Sequence, residues 1–210
     1  EAAEAVAAAI RADGGTARAV QADVARADDV ARLFAAADAM GTLAALVNNA
    51  GVLARQARME DIDADRLQRV FATNAIGPML CARQAVLRMS TARGGRGGGI
   101  VNVSSVAART GSPGEYVDYA ASKGAIDTFT RGLAAEVAAQ GIRVNAVRPG
   151  FVHTGIHADG GEPGRVARLA PSIPMRRGGE PGEVAEAILW LLSPAASYCT
   201  GTFIDVAGGR

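Results

Sequence analysis

Tyr119 and Lys123 are the two residues whose types and spacing best fit acid/base chemistry. They lie in a helical stretch as Tyr-x-x-x-Lys, and residues four apart on a helix share a face. An ammonium beside a phenol stabilises the phenolate, so this spacing predicts a tyrosine pKa below the reference value of ~10. Such a tyrosine can act as a general acid and base. The alternative is an ordinary pair of solvated side chains, and the surrounding residues must decide between the two.

The elements that would position this pair alternate between helical and apolar segments. Helices are predicted at 1–11, from Asp28, at 63–88, at 119–140 and at 182–192, and strands at 16–22, 43–47, 100–103, 142–147 and 202–206. The continuous apolar strands are typical of strands buried on both faces. Gly77-Pro78 predicts a kink or a lost turn inside the long third helix. The alternation predicts an α/β fold with a parallel sheet and helices on both faces.

The composition fits a single domain spanning residues 1–210 and argues against several classes of protein. The net charge of +1 and the absence of long basic runs argue against nucleic-acid and anionic-membrane binding. Cys81 and Cys199 are far apart in the sequence, which favours reduced thiols in the cytoplasm. His153 and His157 have no third ligand nearby, so we expect no metal site and treat both as loop residues.

Small and polar residues follow the predicted strands. They are Asp23-Val24, Asn48-Asn49-Ala50-Gly51, Ser104-Ser105 and Pro149-Gly150. Each group alone has an ordinary interpretation as a cap or a turn. The carboxyl ends of parallel strands meet at one edge, however, where ligands bind in open α/β sheets. Together with Tyr119 and Lys123, these groups therefore predict a site at that edge.

In order and spacing, these residues resemble the short-chain dehydrogenase/reductase family. The matching positions are Asp23-Val24, NNAG at 48–51, Asn74, Ser104-Ser105, Tyr119 with Lys123, and Pro149-Gly150 followed by Thr154. The stretch 111–127 and the ending TGTFIDVAGG are most similar to bacterial members described as glucose-1-dehydrogenase-like or uncharacterised oxidoreductases. The resemblance implies a Rossmann-like, doubly wound sheet and an enzyme that uses NAD or NADP on a small carbonyl or alcohol. It also implies a homodimer or homotetramer.

The resemblance assigns a role to each position. Tyr119 would exchange a proton with the substrate oxygen, and Lys123 would lower the tyrosine pKa and hold the nicotinamide ribose. Ser105 would polarise the substrate, and Asn74 would position a water that links Lys123 to solvent. The cofactor positions are Asp23 and Val24 at the adenine, Asn49, Ala50 and Gly51 at the adjacent ribose, Val152 and Thr154 at the carboxamide, and Pro149 and Gly150 beside them.

Two departures from the family pattern are visible. Ser105 precedes Tyr119 by fourteen positions, one more than is usual in the family. Tyr116 is a rival phenol, but Ala120, four residues later, offers it no charge. The first strand, the TGxxxGxG turn and the second strand of the family are also missing from this sequence. We expect several dozen further residues before residue 1, the alternative being a truncated form. The choice between NAD and NADP would lie at the end of that second strand, so it stays open.

Two further expectations concern mobility and assembly. Residues 154–179 should form a mobile lid, with few backbone partners in the absence of ligand. The alternative is a rigid loop packed permanently on the edge of the sheet. The helices at 63–88 and 119–140 should pair with their symmetry mates, because the second helix offers small or apolar residues on its outer side: Ala125, Thr128, Phe129, Gly132, Leu133 and Glu136. The alternative function is a non-catalytic remnant that serves as an interaction module. A serine hydrolase is disfavoured, since the sequence has no G-x-S-x-G motif.

Overall fold

Four apolar segments pair as parallel strands in the computed structural model, which describes residues 2–210. The strands are β1 (Ala45–Asn48), β2 (Gly98–Val103), β3 (Ile142–Pro149) and β4 (Phe203–Val206), adjacent in that order. The helices are α1 (Ala2–Ala12), α2 (Ala27–Asp38), α3 (Ala64–Phe71), α4 (Gly77–Met89), α5 (Ala107–Thr110), α6 (Val117–Val137), α7 (Ile156–Asp159), α8 (Arg165–Leu169) and α9 (Pro181–Leu192). Within residues 2–210, no helix has both the length and the hydropathy needed to cross a membrane.

The strands bury both of their faces, as their continuous apolar patterns predicted. Ile100 of β2 packs on one face with side chains of α2, α4 and α6. Val101, the next residue, points to the opposite face and packs with Val147 and Leu191. Successive side chains of a strand alternate between faces, so each strand must supply apolar residues at every position. The predicted sheet with helices on both faces is confirmed.

The long helix predicted at 63–88 is interrupted where Gly77-Pro78 predicted a break. A π-helical turn (Ala72–Ile76) separates α3 from α4. Pro78 has no N–H, and its ring excludes a normal hydrogen bond to the carbonyl four residues earlier, which belongs to Asn74. The wider turn accommodates this, and the Asn74 side chain is fully buried. The Gly77-Pro78 break predicted from the sequence thus coincides with a turn that buries Asn74, one of the predicted site residues.

The strand predicted at 16–22 is wrong. Residues 15–23 carry no secondary structure, because no neighbouring strand of the described chain forms a ladder with them. Their carbonyls instead accept from arginine side chains, such as Arg11 Nη1 to Ala17 O at 2.9 Å. A strand is stable only as part of a sheet, so the alternating pattern of residues 16–22 is not enough to form one.

The outer side of α6 is less exposed than the sequence suggested. Phe129 and Leu133 are partly buried and pack against the core between α6 and the sheet. Thr128, Gly132 and Glu136 are exposed. The expected homodimer or homotetramer stays a prediction.

A buried ion pair joins α3 to the start of α6. Arg66 donates to both carboxylate oxygens of Asp118, at 2.7 and 3.0 Å, and to the carbonyl of Arg55 at 2.7 Å. Burial is the largest single influence and opposes ionisation of Asp118, but the bonds and charge of Arg66 together with hydrogen bonds from backbone N–H groups outweigh it, and the pKa of that carboxyl lies below its usual value. The pair therefore stabilises the fold at neutral pH, and this contribution is lost as the pH falls below the usual carboxyl pKa of ~4.

Replacing Arg66 with methionine should destabilise the protein strongly, because it leaves the Asp118 carboxylate buried without a partner. We expect a loss of about 3 kcal/mol in the free energy of unfolding at pH 7, measured by urea denaturation. Arg58→Met is the matched control. Arg58 pairs with Glu60 at 2.6 Å on the surface, so its loss should leave stability near that of wild type. Equal effects of the two substitutions would contradict this account.

Candidate active site

Lys123 lies in a cleft at the carboxyl ends of β2 and β3. Its side chain is almost fully buried, and its Nζ donates a 2.8 Å hydrogen bond to the carbonyl of Val103, the last residue of β2. Burial lowers the pKa of Lys123 to about 8, and the Asp127 carboxylate, one turn along α6, opposes this by raising it. The amine is thus still mostly protonated at neutral pH, yet it releases a proton more readily than a solvated lysine does.

Tyr119 lies next to Lys123, as the helical spacing predicted. The Lys123 Nζ is 5.6 Å from the centroid of the Tyr119 ring. The predicted direction of the tyrosine pKa is wrong, however. Burial raises the pKa of Tyr119, and the neighbouring Ser105 hydroxyl lowers it by less. The ammonium bonds to Val103 rather than to the phenol, so Tyr119 is protonated at neutral pH and can donate a proton.

The two serines after β2 have different surroundings. Ser104 donates to Asp127 Oδ1 at 2.6 Å and contacts the Lys123 carbonyl at 3.3 Å, which ties β2 to α6. Ser105 instead accepts from the N–H of Ala107 at 3.1 Å, and its hydroxyl lies beside the Tyr119 phenol. Ser105 and Tyr119 therefore form a pair of hydroxyls in the cleft, as the resemblance implied.

Asn74 uses its whole side-chain amide to hold the loop after β1. Its Oδ1 accepts from Val52 N at 2.8 Å, and its Nδ2 donates to Val52 O at 2.9 Å and to Ser122 Oγ at 3.2 Å. The amide thus pairs with the backbone as a neighbouring strand would. This contact anchors the loop of Asn49 to Val52 against α6 at the turn that carries Tyr119.

The cleft has a volume of about 280 Å³. The predicted positions that line it are Asn49, Gly51, Ser105, Tyr119, Lys123, Pro149, Gly150, Val152 and Thr154. A Cβ at Gly51 would lie in van der Waals contact with two of the predicted site residues, 3.5 Å from Asn74 Oδ1 and 3.6 Å from Lys123 Nζ. The backbone at Gly51 and the ammonium therefore face the same small space, which suits a ligand with hydroxyl groups such as a ribose.

The remaining predicted cofactor positions lie outside this cleft. Val24 and Ala50 line an adjoining hollow, which Asn49 shares with the cleft. Asp23 is exposed, and its carboxylate accepts from the N–H of Ala25 at 2.9 Å, as in an ordinary turn. The structure therefore brings most of the predicted positions together and leaves Asp23 at a turn.

His157 and Arg165 are site residues that sequence reasoning missed. His157 lies in α7 and is buried; its Nε2 is 3.1 Å from the Val152 carbonyl, and its Nδ1 has no hydrogen-bond partner. Burial lowers its pKa, so the ring is neutral at pH 7. Both residues line a smaller pocket next to the cleft. No spacing rule would have found them, since they lie in short helices within the irregular segment. Among residues 2–210, no cluster of side chains could hold a metal ion.

Comparison with protein families gives one match that covers residues 1–210, to the family described as "Enoyl-(Acyl carrier protein) reductase". Among curated proteins, the "Uncharacterized oxidoreductase YgfF" of Escherichia coli (strain K12) is 65% identical over 159 residues, covering 76% of this chain and 64% of that protein. The "Glucose and ribitol dehydrogenase homolog" of Oryza sativa subsp. japonica is 42% identical over 152 residues, covering 71% and 50%. The chain thus spans half to two thirds of the length of these relatives.

Two solved structures superpose on almost the whole chain. A short-chain type dehydrogenase/reductase from Mycobacterium marinum superposes with a TM-score of 0.89 at 34% identity, covering 99% of this chain and 81% of that one. A blue fluorescent protein from a metagenomic library, in complex with NADPH, gives 0.88 at 30% identity with the same coverage.

Lys123 is the only lysine in the sequence, so its pKa can be measured directly. In protein labelled with ¹⁵N and ¹³C in lysine, the single side-chain signal should titrate with a midpoint of about 8. Asp127→Asn should lower the midpoint further, because it removes the carboxylate that favours the ammonium. The same protein unfolded in urea is the control and should titrate near ~10.4. A midpoint near that control value in the folded protein would contradict the burial of the amine.

Proposed function

We propose that this chain, which belongs to the short-chain dehydrogenase/reductase family, is an oxidoreductase that interconverts a small carbonyl compound and an alcohol with NAD or NADP. The observation that carries the proposal is the convergence of Ser105, Tyr119 and Lys123 in one cleft at the carboxyl ends of β2 and β3. A non-catalytic interaction module would have no chemical use for an almost fully buried ammonium beside two hydroxyls. NADPH in one structural neighbour supports a nicotinamide dinucleotide in this one.

Tyr119 and Ser105 would act on the substrate oxygen. The phenol donates a proton to that oxygen during reduction and accepts one during oxidation. The Ser105 hydroxyl bonds the same oxygen and polarises the carbonyl. Because burial raises the pKa of Tyr119, the phenol is held in its protonated form, which is the form that reduction needs.

Lys123 and Asn74 would connect the phenol to solvent. The Asn74 amide is already committed to Val52 and Ser122, but its backbone carbonyl cannot accept from Pro78, which has no N–H. We assign the expected water to this carbonyl. A lysine with a pKa of about 8 can pass a proton between such a water and the active site near neutral pH.

The residues of the cleft fit a nicotinamide cofactor. Asn49 and Gly51 would contact a ribose together with Lys123, and Val152 with Thr154 would hold the carboxamide, beside Pro149 and Gly150. Asp23, Val24 and Ala50 remain proposed contacts of the adenine end. When bound, the cofactor supplies or accepts the hydride, while these residues orient it against Ser105 and Tyr119. Titration of the protein with each cofactor would show whether it prefers NAD or NADP.

We propose in addition that residues 154–179 close over the bound cofactor and substrate as a lid. Both ends of the segment are tied together, since His153 N donates to Gly179 O and Gly179 N to Phe151 O, each at 2.9 Å. Val166 and Ile173 of the segment itself are buried. The expectation of few backbone partners is wrong, because α7, α8 and several turns bond internally. Closure is therefore a tightening of an ordered segment.

The proposal also includes a cytoplasmic homodimer or homotetramer. Cys81 and Cys199 are free thiols in the structure, which fits a reducing compartment. The assembly is supported by the small exposed residues Thr128 and Gly132 of α6, which would let a second helix approach closely.

Tyr119→Phe should reduce kcat by at least ~100-fold, because it removes the proton donor while keeping the ring. Affinity for NADPH, measured by nicotinamide fluorescence, should change by less than about threefold. Tyr116→Phe is the matched control and should keep kcat within about tenfold of wild type. If Tyr119→Phe kept its turnover and Tyr116→Phe lost it, the rival phenol would be the catalytic one.

Amide hydrogen exchange should show slower exchange over residues 154–179 when NADPH is bound. The core strand β2 serves as the internal control, since its exchange depends on global unfolding and should change much less. Equal protection of the segment with and without NADPH would rule out the lid while leaving the catalytic assignment intact.

A further inference from the structure

A second pocket adjoins the cleft on the far side of Ser105 and Tyr119. It shares Ser105, Tyr119, Gly150 and His157 with the cleft. Other parts of its walls come from α5, the loop before α6, and α8. The cleft holds the positions assigned to the cofactor, so the second pocket is the space left for the part of the substrate beyond the reacting carbon. The charge of its walls therefore bears on which substrates can enter.

Arg165 is the one formally charged side chain that lines this pocket. It is 4% exposed, and its guanidinium lies between two aromatic rings, 5.0 Å from the centroid of Tyr116 and 5.3 Å from that of Phe151. A buried guanidinium beside a carbonyl site would ordinarily attract a carboxylate or phosphate substrate. Whether the Arg165 charge can attract a substrate depends on the groups that bind its guanidinium.

Two glutamates occupy the donors of Arg165. Glu115, from the loop before α6, accepts hydrogen bonds from both terminal nitrogens of Arg165. Nη1 donates at 3.1 Å and Nη2 in a closer contact. Glu162, from the turn before α8, accepts from Nη1 at 3.2 Å and also pairs with Arg168. Two arginines thus meet two glutamates, and the group has no net charge.

The other titratable groups that line the pocket do not alter this balance; Arg210 lies 4.8 Å from the centroid of the Phe151 ring but does not line the pocket. Burial lowers the pKa of His157, so its ring is neutral at pH 7. Burial also raises the pKa of Tyr116 and of Tyr119, so both phenols are protonated. At neutral pH the walls of the pocket therefore carry hydroxyls, a neutral imidazole and a compensated guanidinium.

We infer that Glu115 and Glu162 cancel the charge of Arg165 so that the substrate pocket selects small uncharged carbonyl compounds and alcohols over carboxylates of the same size. This inference rests on the proposed function, because it names the substrate class for the same site. It makes Glu115 a specificity-determining residue through its effect on Arg165. Removing the Glu115 charge should leave one unit of positive charge in the pocket and create affinity for a carboxylate.

The test uses pyruvate and pyruvamide, which have nearly the same shape and differ in charge. Their affinities are measured by saturation-transfer NMR titration without cofactor, so that no turnover intervenes. Wild type should bind the amide at least as tightly as pyruvate. Glu115→Gln should bind pyruvate about five- to tenfold more tightly, with the affinity for the amide changed by less than about twofold.

Three variants serve as controls. Glu136→Gln makes the same chemical change on the exposed side of α6 and should leave both affinities at their wild-type values. Glu115→Gln combined with Arg165→Gln should lose the gain for pyruvate, because the uncompensated charge is gone. If Glu115→Gln fails to fold, Glu162→Gln offers the same test from the other side of Arg165.

The outcomes separate this inference from the proposed function. Pyruvate affinity that is unchanged in folded Glu115→Gln, or a wild-type preference for pyruvate, overturns the inference. A gain for pyruvate in the variant supports it. Turnover of the two compounds with NADH and NADPH is then a separate readout: if the gain appears and no protein oxidises either cofactor, the proposed function fails and the charge assignment stands.

Discussion

The burial of one ammonium group is the constraint on which the site depends. Moving an ammonium out of water costs several kcal/mol unless nearby groups compensate. For Lys123 the compensation is the Val103 carbonyl at 2.8 Å and the negative charge of Asp127. One partner lies at the end of β2 and the other on α6, so the lysine fixes the distance between sheet and helix. Tyr119, one turn earlier on the same helix, is placed by the same contacts.

Two side chains, one from α3 and one from the π-helical turn after it, bind α6 on either side of Tyr119. Arg66 of α3 binds Asp118, and Asn74 of the π-helical turn binds Ser122, the residues just before and three after Tyr119. Both also hold the loop that follows β1, through backbone atoms of residues 52 and 55. Loop, helix and phenol are therefore one rigid unit, which is what a proton donor needs in order to meet a substrate at a fixed distance.

The sequence could predict those parts of the site that depend on local pattern. Four residues of helix bring Tyr119 and Lys123 together whatever surrounds them, and continuous apolar runs indicate buried strands. The predictions that failed concern features that depend on residues far away in the sequence. The segment at 16–22 has a strand pattern but no neighbouring strand in the described structure, and the direction of the Tyr119 pKa follows from burial that no spacing reveals. Arg165 meets Glu115 across fifty positions, which no periodicity relates.

The contact between Arg165 and Glu115 also links specificity to the position of the proposed lid. Arg165 lies within residues 154–179, whereas Glu115 belongs to the loop that leads into α6. The compensation by Glu115 therefore exists only while the segment lies against that loop. Moving α8 away would separate the buried Arg165 from the partly exposed Glu115, and the cost of leaving the guanidinium with one carboxylate fewer favours the closed arrangement. The ion pair that we infer to neutralise the proposed substrate pocket would thus also hold the proposed lid in place, and a substrate that competed for Arg165 would loosen both.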